Sequence, residues 1–125
     1  MHQQNHTSYT IKNLKDGMLR NKINFIYLSW LIAALNIFDG VTTAYGLKEG
    51  AIEELNPIMD FLWMVSPVLF LALKFSLSVM VVIISISVYK KGSKTFQGVY
   101  SVLLVGVCCV YFGIFFLHIM WLSFL

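Results

Sequence analysis

Charge is scarce in this sequence: Asp, Glu, Lys and Arg make up 12% of its 125 residues, while 58% are hydrophobic. Ordinary soluble domains carry about a quarter charged residues, and a fold this small has too little interior to hide so much apolar surface. A soluble domain is excluded; a single integral membrane domain is expected. Cysteine is nearly as scarce, with Cys108 and Cys109 the whole supply. Adjacent helical residues point in different directions, so no disulfide is expected between them, and both read as compact apolar packing residues. There is no Gly-x-Ser-x-Gly elbow, phosphate loop, dinucleotide fingerprint or His-Glu-x-x-His pair, so no cofactor and no familiar catalytic motif is implied. The net charge of +3 does not indicate nucleic acid, because the basic residues flank apolar segments instead of forming a soluble face.

Three apolar segments are present, from about Phe25 to Tyr45, Pro67 to Tyr89, and Phe96 to Leu122. Each reaches the roughly 20 residues needed to cross a bilayer core, and in lipid a helix satisfies its own backbone. The expected fold is all-α, with three transmembrane helices. Residues 1–23 form a polar, basic segment, disordered through about Thr10, and residues 24–125 the transmembrane domain. Lys12, Lys15, Arg20 and Lys22 precede the first span, and Lys90, Lys91 and Lys94 separate the second from the third. The Leu47–Asn56 connection sets Glu49, Glu53 and Glu54 against one Lys48. Positive residues mark the cytoplasmic side, so the expected location is a cell membrane, N-terminus inside and C-terminus outside. Tyr45, Trp63 and Trp121 would anchor the outer boundary and Tyr27, Tyr89 and Tyr100 the inner one. Ala44-Tyr45-Gly46 resembles a cleavage site, but Asn36 and Asp39 interrupt the apolar run that a signal peptide needs.

The only two prolines each follow a capping residue, in Asn56-Pro57 and Ser66-Pro67. Both pairs look like helix starts. They predict a short helix over 57–65 lying at the outer interface, then the second span from Pro67; one long helix kinked at Pro67 is the alternative.

Polar residues are few inside the spans, and they are not scattered. Asn36, Asp39 and Thr43 fall at i, i+3 and i+7, one face of the first helix, with Gly40 beside it to admit a neighbour. Asp39 lies seven residues from the outer end, about 10 Å deep, and Lys74 lies equally far in from Pro67. Ser78 and Ser85 continue the Lys74 face. A charge at that depth costs roughly 2.5–3.5 kcal/mol, whereas opposite charges 4 Å apart attract by about 4 kcal/mol at an effective dielectric near 20. Pairing is therefore expected, although Lys74 reaching outward alone is possible in principle. His118, with Tyr111 and Phe115 on its face, approaches from the third span, and Glu54, Asn56 and Pro57 from the outer loop. Gly106 and Gly113, seven apart, predict a close helix contact on the third span.

Asn36-Ile37-Phe38-Asp39 with Thr43, then Glu54-Leu55-Asn56-Pro57 and Lys74 on the next helix, resembles small prokaryotic membrane proteins grouped as domain-of-unknown-function family 5658. The resemblance covers roughly Leu35 to Lys74 and implies a polytopic helical membrane protein with no assigned activity. The third span, with His118, falls outside it.

Three functions compete. The first is a non-enzymatic protein that assembles with itself or a larger membrane partner through Asn36, Asp39 and Lys74. The second is an ion- or proton-coupled transporter or channel component using Asp39 and Lys74. The third is an outward-facing enzyme using Asp39, Glu54 and His118. Each residue also has a plainer reading: Asp39–Lys74 as a register-setting ion pair, Glu54, Asn56 and Pro57 as a helix cap, and His118 as an interfacial anchor beside Trp121.

Overall fold

The structure is a computed structural model that describes residues 2–125, with side chains described for 7–17 and 25–125. Four helices follow one another: α1 (His2–Lys48), α2 (Pro57–Val65), α3 (Pro67–Lys91) and α4 (Lys94–Leu122). Three stretches are long and apolar enough to cross a membrane, Phe25–Lys48 within α1, Pro67–Lys91 and Lys94–Leu122.

The segment expected to be disordered through Thr10 is helical from His2. The chain contains no proline before Pro57 and, up to Phe25, only one glycine, Gly17, so nothing breaks a helix that the first span has already nucleated. α1 ends in a Schellman motif. Gly50 takes φ +67°, a conformation open to glycine without a Cβ penalty, and the Gly50 and Ala51 N–H groups donate to the Leu47 and Gly46 carbonyls.

The residues at 56–67 separate two helices instead of kinking one. Asn56 Oδ1 accepts from the Ile58 N–H at 3.1 Å, and Pro57 opens α2 where a missing N–H does no harm. Ser66 is extended, at φ −165° and ψ 120°. Its N–H closes α2 on the Leu62 carbonyl, while its Oγ accepts from Leu69 to open α3. The kinked single helix is thereby overturned, because an extended residue interrupts the ladder.

α1 is the central helix, packed against both α3 and α4, which touch each other little. α3 and α4 are joined by the Gly92–Ser93 turn. There the Gln97 side-chain amide donates to the carbonyls of Val88, Tyr89 and Gly92 at 3.1–3.3 Å, capping the end of α3 from the first turn of α4. Gln97→Ala is expected to lower stability by about 1 kcal/mol, the usual worth of such bonding. An unchanged unfolding midpoint in detergent would rule the cap out.

Toward this turn end the core is Phe25, Ile32, Leu104 and Cys108, with Phe25 edge-on to Tyr100 at 5.2 Å. This half also buries Ser29 and Ser85 completely. Ser29 donates to its own Ile26 carbonyl, and Ser85 pairs with the Tyr100 hydroxyl at 3.1 Å. Cys108 is buried and Cys109 exposed, both free. Gly106 and Gly113 make no close helix contact: a Cβ on either would meet nothing within 4 Å. Their spacing puts them on one face, but α4 turns the face of Leu104, Cys108 and His118 inward. The outer surface carries Phe75, Ile83, Val102, Val110 and Phe116, so the bundle turns large apolar side chains outward.

Candidate functional site

Asp39 is the centre of a buried polar cluster toward the loop end of the bundle. Its Oδ2 accepts from Lys74 Nζ at 2.6 Å, and its Oδ1 from His118 Nε2 at 2.9 Å, with the Thr43 hydroxyl at 3.4 Å. One carboxylate thus ties α1 to α3 and α4. The side chains of Lys74 and Asp39 are only 15% and 12% exposed, so each charge is met mainly by its partner.

Asn36, one turn away on the same face, makes a second three-helix junction. Its amide group donates to the Lys74 carbonyl and to Ser78 Oγ, each at 2.8 Å. Its Oδ1 accepts from the Tyr111 hydroxyl, also at 2.8 Å. Both amide hydrogens and the carbonyl are used, which is nearly all an asparagine can offer. Heptad-like spacing on α1 makes this possible: Phe25, Ser29, Ile32, Asn36, Asp39 and Thr43 recur every three or four residues, and all are buried.

The wall around Lys74 is built from small and aromatic residues. A Cβ on Gly40 would lie 3.1 Å from Lys74 Cβ and 3.2 Å from its Cγ, so α1 leaves room for the lysine stem by carrying no side chain there. Phe70, completely buried, places its ring centroid 6.0 Å from Lys74 Nζ. Trp63 of α2 stacks edge-on against that ring at 5.7 Å. Gly40→Val is expected to cost about 1–3 kcal/mol through overpacking, displacing Lys74 from Asp39. Wild-type stability for that variant would show that α1 and α3 separate freely here.

The hydrogen-bond partners assign the state of His118. An indole N–H only donates, and Trp121 Nε1 lies 2.8 Å from His118 Nδ1. Nδ1 is therefore the acceptor and carries no proton, which leaves Nε2–H to donate to Asp39. In this arrangement the Nδ1 lone pair is covered by the indole N–H and the Nε2 hydrogen is given to Asp39.

Of the residues singled out from the sequence, Asn36, Asp39, Thr43, Lys74 and His118 come together. Glu54, Asn56 and Pro57 stay at the start of α2, where Glu54 Oε1 accepts from the Asn56 N–H at 2.9 Å. Among the described residues no three His, Cys, Asp or Glu side chains are grouped to hold a metal ion, so Asp39, Glu54 and His118 make no metal set. Ser66 caps α3, and Ser76 donates to the Ala72 carbonyl. Sequence reasoning missed the Trp121–His118 and Tyr111–Asn36 bonds. The first was signalled by the i, i+3 spacing of the two residues; the second had no local signal, because its partners are 75 residues apart.

The fold and cluster define a class: an all-helical bundle with three helices long and apolar enough to cross a membrane, held by a polar interior. The chain belongs to the family described as Domain of unknown function (DUF5658), whose model matches residues 30–124. That match runs through α4 and includes His118, correcting the narrower expectation of Leu35 to Lys74; the third helix is part of the family's domain. No curated protein and no solved structure matches the chain.

Proposed function

We propose that this chain is a non-enzymatic, multi-pass protein of a prokaryotic cell membrane whose polar cluster locks three spans into one packing arrangement. The N-terminus and the Gly92–Ser93 turn face the cytoplasm, the α1–α2 loop and the C-terminus face outward, and α2 lies at the outer interface. The charge distribution supports that orientation, with basic residues at one end and Glu49, Glu53 and Glu54 at the other. One observation carries the packing role: no buried side-chain nitrogen or oxygen among the described residues lacks a hydrogen-bond partner. A cluster so fully satisfied within one chain is suited to fixing helix register. A second copy or a larger membrane partner would then meet the apolar outer faces of α3 and α4, with the bilayer covering what remains.

The partial exposure of Lys74 and Asp39 favours one further reading, an ion or proton path through the pair. Vesicles separate the two. Under the packing role, vesicles holding the protein keep a proton gradient as well as empty ones, and Asp39→Asn with Lys74→Met changes only stability. A leak that the double change abolishes without loss of fold would establish transport instead.

A further inference from the structure

The packing role uses Asp39, Lys74 and Asn36, but it does not require the particular way His118 is held. Trp121 spends its only polar hydrogen on His118 Nδ1, and its ring tip reaches α1. A Cβ on Gly46 would lie 3.0 Å from Trp121 Cη2 and 2.7 Å from Ile52 Cγ1. Trp121 and Ile52 therefore close over a bare stretch of α1 backbone, linking α4 to the beginning of the α1–α2 loop. The hydrogen bond that orients the indole exists only while Nδ1 is unprotonated.

We propose that His118 and Trp121 form a proton-operated latch: a proton taken up from solvent at His118 Nδ1 ejects the Trp121 indole and frees the α1–α2 loop. Once Nδ1 carries hydrogen, two donors face each other across 2.8 Å, and the indole has no lone pair with which to adapt. Nε2–H keeps its bond to Asp39, now as an ion pair, so α4 stays attached to α1 while Trp121 leaves. The charged and titratable groups facing the imidazole are Asp39 of α1 at 2.9 Å and Lys74 of α3, which reaches it through the same carboxylate. Tyr111, on α4 itself, is turned to Asn36. Thr43 and the Phe38 ring, 3.5 and 6.3 Å away, complete the surroundings without charge. The ligand is a proton, and the moving part is one side chain with the loop it covers.

The test uses the full chain in detergent micelles, where both ends meet the same buffer, so its result is independent of membrane orientation and of the packing role. Trp30→Phe and Trp63→Phe leave Trp121 as the single tryptophan, excited selectively over the tyrosines. As pH is lowered, Trp121 emission is expected to fall and shift to longer wavelength in one proton step, as for an indole passing into water, with helix content unchanged. His118→Gln abolishes the step. Should that variant fail to fold, nitrogen-15 resonances of His118, with His2→Gln and His6→Gln removing overlap, give the same answer: Nδ1 gains its proton in the pH interval where Trp121 emission falls. Flat emission as pH is lowered, a step that survives His118→Gln, or a step that coincides with loss of helix would each overturn the latch.

Discussion

Lys74→Met, with Asp39 kept, is expected to destabilise the detergent-solubilised protein by about 3–5 kcal/mol, the usual result of stripping one partner from a buried ion pair. Asp39 would keep its bonds from His118 and Thr43 but lose the Lys74 ammonium at its Oδ2, and its short side chain cannot carry the charge to water. Asp39→Asn should cost less, because the long lysine stem can swing its ammonium outward. Combining the two changes should recover most of the loss, since a neutral asparagine beside a methionine leaves no buried charge. Unfolding of the four proteins yields the coupling between the two residues. Simple additivity would mean that each charge serves something other than its neighbour, and the packing role would fall with it.

Asn36→Leu should rank next, at about 2–3 kcal/mol. Interhelical hydrogen bonds in membrane proteins average about 0.6 kcal/mol and reach about 1.7, and Asn36 makes three of them. Leucine has the same branched outline and is somewhat larger, so no cavity is left and the loss reports bonding together with any crowding. The consequences differ by helix. Ser78 can fall back on the Lys74 carbonyl, which it already reaches at 3.1 Å, whereas the Tyr111 hydroxyl is left without its acceptor. Tyr111→Phe alone should therefore cost only about 0.6 kcal/mol, and adding it to Asn36→Leu should cost almost nothing more. Faster hydrogen exchange in α4 than in α3 of the Asn36→Leu protein would locate the damage; equal exchange in both would contradict this assignment.

Much of the site was legible because lipid penalises isolated charge. Asp39 and Lys74 sit at similar distances, nine and seven residues, from the loop-side ends of α1 and α3, and an antiparallel arrangement of two neighbouring spans puts them near one level. The i, i+3, i+7 spacing of Asn36, Asp39 and Thr43 likewise needs only the period of a helix. Other features were illegible for an equally physical reason. Gly106 and Gly113 share a face by the same arithmetic, yet that face points away from α1, because periodicity defines faces without saying which neighbour each one meets. The continuous α1 was missed because its polar first half offers no apolar pattern, while a helix once started continues through any residues that do not break it.

By itself, then, the sequence determined an all-helical chain with three spans, helix starts at Pro57 and Pro67, and a charge pair that had to be buried together. Composition, capping chemistry and the energetics of charge in hydrocarbon decide these locally. Only the tertiary structure decided that α1 stands between α3 and α4, that Tyr111 closes on Asn36, and that Trp121 holds His118 in one tautomer. Those depend on how each helix is rotated about its axis, which is set by the simultaneous fit of side chains from three helices, such as the lysine stem packed closely against the bare backbone at Gly40.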